Sequence, residues 1–110
     1  MIYGLFLNLI ILNHKSFPFS RFTVEGISML PTLKPGQDIL CFKRQCVFFQ
    51  PKVGDMVVIR KNGKEMVKRI SKITKTGYFV EGDNKKESTD SRDFGPVSKL
   101  EIVGKVVYVR

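Results

Sequence analysis

The pair Asn62-Gly63 constrains the fold of this chain more than any other feature. Both residues readily adopt the positive φ values of a type I′ turn, and a strand-like run lies on each side. Before the pair, Met56-Val57-Val58-Ile59-Arg60 is an apolar, β-branched stretch. After it, Lys64 to about Ile73 reads as the return strand, although Met66, Ile70 and Ile73 are also spaced as on a helix. The turn decides for a hairpin. In that strand Met66, Lys68 and Ile70 share one face, and Val67 and Arg69 share the other. Two readings of Lys68 then stand: one lysine among many on a solvated face, or an amine partly desolvated among apolar neighbours, with its pKa lowered by burial.

The remaining chain carries similar β signals. Phe22 to Glu25 predicts a strand, Lys34-Pro35-Gly36-Gln37 a turn, and Asp38 to Lys43 a second strand. Val47-Phe48-Phe49 is either core or an exposed lip. Lys52-Val53-Gly54-Asp55 leads into the hairpin, Tyr78 to Glu81 follows a turn at Lys75-Thr76-Gly77, and Ile102 to Val109 closes the domain. Gly82 to Pro96 reads as a polar surface loop. A length of 110 residues suffices for one core. The expected fold is therefore mostly β, a single domain of antiparallel sheets over residues 21–110, behind a hydrophobic segment over residues 1–20.

That first segment is apolar from Ile2 to Leu12 except for Gly4 and Asn8. As a helix it covers roughly 18 Å, short of the roughly 30 Å hydrocarbon core of a bilayer. It reads as a short or interfacial anchor, the end of a longer span, or a buried strand, and the anchor is the reading adopted. Phe17, Phe19 and Phe22, interleaved with Lys15 and Arg21, suit a segment leaving a membrane interface. The formal charge of +9 favours an anionic partner such as nucleic acid, an acidic substrate or lipid headgroups.

Gly26-Ile27-Ser28-Met29-Leu30-Pro31-Thr32 sets a serine on a bend between a permissive glycine and a rigid proline. Ser28 is there as a structural turn serine or as a displayed nucleophile. Cys41 and Cys46 with the one histidine, His14, do not make a structural zinc site, and no metal or other cofactor is expected. The two cysteines are a disulfide or two partly buried thiols. A nucleophilic Ser28 needs a base other than His14, which sits near the terminus beside the apolar segment.

Three separated pieces now match one family in order. Ser28-Met29-Leu30-Pro31-Thr32 resembles the Ser-Met-x-Pro-Thr box of the type I signal peptidases, Lys68-Arg69 their Lys-Arg box, and Gly82-Asp83-Asn84 through Ser88-x-Asp90-Ser91-Arg92 with Phe94-Gly95 their last box. Val53-Gly54-Asp55 before an apolar strand is similar to the family's strand entry. The resemblance runs from about Phe22 to Arg110. It implies a signal-peptidase-like β domain in which Ser28 is the nucleophile and Lys68 the general base. It also implies that Ser88 orients the Lys68 amine, that Asp90 and Arg92 pair to hold the loop, and that Met29 lies at the substrate cleft. Gly26 stands where some relatives carry a serine of the oxyanion hole, leaving the Ser28 N–H as one donor.

The activity so implied is removal of N-terminal leader segments from exported or membrane-tethered precursors. The partners are a precursor protein or leader peptide and the membrane surface, and the catalytic domain lies on the extracytoplasmic side. A narrower alternative is a dedicated maturation protease, since the short chain and the run from Ser88 to Val97 also resemble the nickel-type superoxide dismutase maturation protease. A self-cleaving repressor-type domain is disfavoured because the chain has no alanine for an Ala-Gly cleavage site. A basic β domain binding nucleic acid is disfavoured because aromatic and basic residues do not interleave on a stacking face.

Overall fold

A computed structural model describes residues 18–45 and 49–110. Six strands, β1 (Phe19–Thr23), β2 (Asp38–Lys43), β3 (Met56–Lys61), β4 (Lys64–Thr74), β5 (Gly77–Glu81) and β6 (Ile102–Val109), form one antiparallel sheet in the order β1-β2-β6-β3-β4-β5. The mostly β architecture expected from the sequence is what forms. Most of the anchor segment, with His14, Cys46, Val47 and Phe48, lies outside the described residues.

The hairpin forms where the turn pair predicts it. Asn62 and Gly63 take φ values of +52° and +78°, and Lys61 pairs with Lys64. This settles the ambiguity after the turn: once Val57 lies opposite Lys68 and Ile59 opposite Met66, Lys64–Thr74 is one continuous strand. β3 lies between β6 and β4 and buries Val57, Val58 and Ile59 in succession, which is why its run is apolar without alternation. Val57 and Ile59 join Ile70, Val80, Val97 and Ile102 in one core, while Val58 joins Val24, Met29, Leu33, Ile39 and Cys41 in a second. Phe49 is buried in the first core, and burial pushes the Cys41 thiol up to about 12.

Two boundaries differ from the sequence reading. The first strand is Phe19–Thr23 rather than Phe22 to Glu25, because its ladder ends where Thr23 meets Asp38, the first residue of β2. Val24 leaves the ladder, gives its N–H to the Gln37 carbonyl at 2.8 Å and turns its side chain into the second core. The polar stretch after β5 is also more ordered than a plain loop. It holds a 3-10 turn at Lys85–Glu87 and a four-residue helix, α1 (Ser91–Phe94), whose start is capped by Asp90.

Ile59, fully buried in the first core, is expected to cost about 3 kcal/mol when replaced by alanine, whereas Ile73→Ala, at a side chain 53% exposed, is expected to cost under about 1 kcal/mol. Urea unfolding of the two variants checks this, and equal losses would contradict the assigned core.

Candidate active site

A cleft of about 490 Å³ opens between the chain segment after β1 and the first half of β4, lined by Phe22, Ser28, Met29, Val67, Lys68 and Thr89 among others. Ser28 lies on a run of turns after Gly26, whose φ is +73°. The Leu30 N–H donates to the Ile27 carbonyl at 3.2 Å and the Leu33 N–H to the Met29 carbonyl at 2.9 Å, so the hydroxyl is carried by a folded bend. Among the described residues neither the Ser28 N–H nor its Oγ is hydrogen-bonded. Met29 packs into the second core, 2% exposed, and also lines the cleft.

Lys68 enters from β4. It stands opposite Val57 in the ladder and is only 3% exposed, so it is not one of the solvated lysines. Its Nζ donates to Ser88 Oγ at 3.0 Å. Ser88 Oγ in turn donates to Asp90 Oδ2 at 2.7 Å. With its one proton committed to Asp90, the Ser88 hydroxyl offers Lys68 a lone pair and takes up one of the amine's N–H groups. No direct hydrogen bond joins Lys68 to Ser28; the two share the cleft.

Behind Ser88, Asp90 is fully buried. Its Oδ2 accepts from the Gly82 N–H at 2.8 Å and from Arg92 Nη2 at 3.0 Å, and its Oδ1 accepts from Arg92 Nε at 2.9 Å and from the Arg92 N–H at 3.1 Å. Burial alone would raise this carboxyl, but the Arg92, Gly82 and Ser88 hydrogen bonds outweigh it and hold the group well below the usual carboxylate range. Burial lowers Lys68 from the ordinary lysine value. The Asp90 charge opposes that shift, while Lys64 and Arg92 reinforce it.

The residues expected from the sequence therefore fall into one connected group, Lys68, Ser88, Asp90 and Arg92, with Ser28 and Met29 across the cleft. A second group had been assigned no role. Arg69, the neighbour of Lys68, donates through Nε and Nη2 to Asp83 at 2.9 and 2.8 Å and through Nη1 to the Gly54 carbonyl at 2.7 Å. Asp83 also accepts from Thr32 Oγ1 at 2.6 Å, and Asn84 gives its N–H to the Ser28 carbonyl at 2.8 Å and its Nδ2 to the Ile27 carbonyl at 3.0 Å. These contacts tie the serine bend to the loop after β5. Gly82 makes the approach possible, since a Cβ there would lie 2.2 Å from Ser88 Oγ and 2.6 Å from the Ser28 carbonyl oxygen. The signal for this group is the polar density of Gly82-Asp83-Asn84. Among the described residues no cluster of His, Cys, Asp and Glu side chains is placed to hold a metal.

Asp90→Asn leaves Arg92 and the Gly82 N–H with a weaker acceptor and is expected to destabilise the domain by roughly 2–3 kcal/mol at neutral pH. Because the folded-state pKa of Asp90 is depressed, its contribution is complete above the unfolded carboxyl value near 3.9 and declines as pH falls below it. The difference between variant and parent in urea should therefore narrow below about pH 4, and a constant difference would contradict the ionised assignment.

A Peptidase S24-like family model matches residues 11–107. The chain is 33% identical to the mitochondrial ATP-independent inner membrane protease subunit 1b of Arabidopsis thaliana over 109 residues, covering 76% of this chain and 64% of that protein. It is 30% identical to the mitochondrial inner membrane protease subunit 1 of Xenopus tropicalis over 105 residues, covering 74% of this chain and 63% of that protein. It thus spans a little under two thirds of these relatives' length. With the family model covering nearly the whole domain and the motif residues gathered around one cleft, this chain belongs to the Peptidase S24-like family, within which it resembles the signal-peptidase type.

Proposed function

We propose that this protein is a membrane-associated serine endopeptidase of the signal peptidase type that uses Ser28 as nucleophile and Lys68 as general base. The observation that carries the reading is a buried lysine sharing a cleft with an unpartnered serine hydroxyl, its amine held by a hydroxyl whose proton is already committed. A lysine at its ordinary pKa is neutral only about one time in two thousand at pH 7, and burial raises that fraction. With one N–H on Ser88, the lone pair of neutral Lys68 takes the Ser28 proton as Oγ turns toward it.

Ser28 Oγ then bonds to the scissile carbonyl carbon, and the carbonyl π electrons move to oxygen, which the Ser28 N–H stabilises. The C–N bond breaks as Lys68 returns the proton to the leaving amine, producing an acyl-enzyme. Water, deprotonated by Lys68, hydrolyses the ester and restores Ser28. The Lys64–Lys68 half of β4 has β3 on one side and the cleft on the other, an edge suited to an extended substrate backbone. Arg92 matters because it offsets part of the Asp90 charge, which favours the protonated form of Lys68.

The substrate is the N-terminal leader of an exported or membrane-tethered precursor, with the segment ahead of β1 as anchor and the domain from β1 onward as the catalytic part on the extracytoplasmic side. The similarity to inner membrane protease subunits supports the membrane association. Of the ten carboxylates, only Glu25 and Glu87 form no side-chain hydrogen bond or ion pair among the described residues, and both line the cleft. They favour a substrate with a basic side chain near the scissile bond.

Cleavage of a leader peptide by the full chain in detergent is expected to fall at least about a thousandfold in Ser28→Ala and in Lys68→Ala. In the parent, kcat/KM should rise with pH and level off below the ordinary lysine range. Arg92→Gln should move that rise to higher pH; an unmoved profile would contradict the neutralising role. Replacing a lysine beside the scissile bond by glutamate is expected to lower kcat/KM roughly tenfold, and Glu25→Gln with Glu87→Gln to reduce that discrimination. Cleavage indifferent to the charge would exclude the substrate preference while leaving the peptidase reading intact.

A further inference from the structure

A second cavity of about 420 Å³ opens away from the cleft, where β1 begins, β2 and β3 end and β6 starts. Its lining includes Lys43, Arg44 and Arg60, the polar Ser20 and Gln45, and Leu100, which is 77% exposed. The one carboxylate in the lining, Glu101, is engaged: Oε2 accepts from Lys61 at 3.0 Å and Oε1 from the Ser98 N–H at 2.9 Å. Arg44 Nε is buried and finds no hydrogen-bond partner among the described residues. A buried guanidinium donor left unpaired is costly, and an oxyanion seated on Nε and Nη relieves that cost bidentately. Arg60 is paired only with Glu65, with both side chains well exposed, so it can turn to an incoming anion at small cost.

The position of the cavity selects the anion. In the sequence the apolar stretch from Ile2 to Leu12 precedes Pro18, whose carbonyl accepts from the Lys43 N–H at 2.8 Å. Stacked Phe19 and Phe42, with ring centroids 4.9 Å apart, stand at the same end of β1 and β2. Three cations around a pocket and an exposed leucine, in a chain whose sequence carries an apolar run ahead of β1, match a phosphodiester carrying acyl chains.

We propose that this pocket binds the phosphate of an anionic phospholipid headgroup. The proposal rests on the membrane association put forward above and is independent of the Ser28 and Lys68 chemistry. It seats the domain against the bilayer by the end of the sheet from which the N-terminal segment departs.

The test uses the full chain in uncharged maltoside micelles, titrated with short-chain phosphatidylglycerol or with inorganic phosphate and followed by NMR at the Arg44, Arg60 and Leu100 amides. The lipid is expected to move these amides, and Arg44→Gln with Arg60→Gln to weaken binding roughly tenfold or more. Lys72→Gln with Lys75→Gln removes the same charge elsewhere and should leave binding within about twofold. Arg44→Lys, which keeps the charge but removes the Nε donor, should fall between, and the amide spectrum reports whether each variant is folded. If inorganic phosphate binds as tightly as the lipid, the lipid assignment is overturned. If neither ligand moves the amides, or if both charge-removing pairs lose equally, the pocket is not a site. Arg44→Gln is expected to cleave peptide in these micelles as the parent does, so failure of the headgroup site is distinguishable from failure of the peptidase reading.

Discussion

The carboxylate of Asp90 is the group on which the rest of the site depends. It is buried without access to water, and it accepts hydrogen bonds from the end of β5, from Ser88 and from both the backbone and the side chain of Arg92. Together these contacts order three pieces of chain: the exit of the sheet at Gly82, the turn carrying Ser88, and the first turn of α1. A charge in such a place is tolerated only when it is saturated with donors, and Arg92 supplies three of them. The same arginine offsets part of the field that Asp90 exerts on Lys68. The loop can thus be anchored by an anion while burial still holds the nearby amine below the ordinary lysine value.

A second tie acts from the opposite face of β4. Adjacent strand residues point to opposite sides, so Lys68 reaches Ser88 while Arg69 reaches Asp83 and the Gly54 carbonyl. Asp83 accepts from Thr32 in the serine bend, and Asn84 holds the carbonyls of Ile27 and Ser28. The serine segment and the lysine strand are therefore fixed through a common loop. The proposed roles of Ser28 and Lys68 require such positioning, because small displacements at reacting atoms have large effects on rate.

Charge is distributed unevenly around this frame. Most carboxylates are consumed in ties that hold elements together, including Asp38 between Arg21 and Arg110 and Asp55 beside Lys105. Two carboxylates without a side-chain hydrogen bond or ion pair among the described residues line the cleft, and Lys43, Arg44 and Arg60 line the cavity at the end of the sheet where the N-terminal segment departs. The chain at +9 thus presents a different electrostatic face to each of these two cavities.

The hairpin, the strands on either side of it and the apolar run of β3 were legible in the sequence, because turn chemistry and side-chain alternation depend on neighbouring residues. The end of the first strand and the helical turns of the polar loop were not, although Asp90 followed by Asp93 carries a capping-box pattern. The motif residues Ser28, Lys68, Ser88, Asp90 and Arg92 could be recognised as a set from their order. By itself, then, the sequence determined the β class and the cast of polar residues. The tertiary structure alone decided that Lys68 is buried, that Ser88 meets it from 20 positions away, and that Thr32 meets Asp83 from 51 positions away. The first contact closes once β4 and β5 pair, but the second needs β6 inserted between β2 and β3, and no local pattern encodes that insertion.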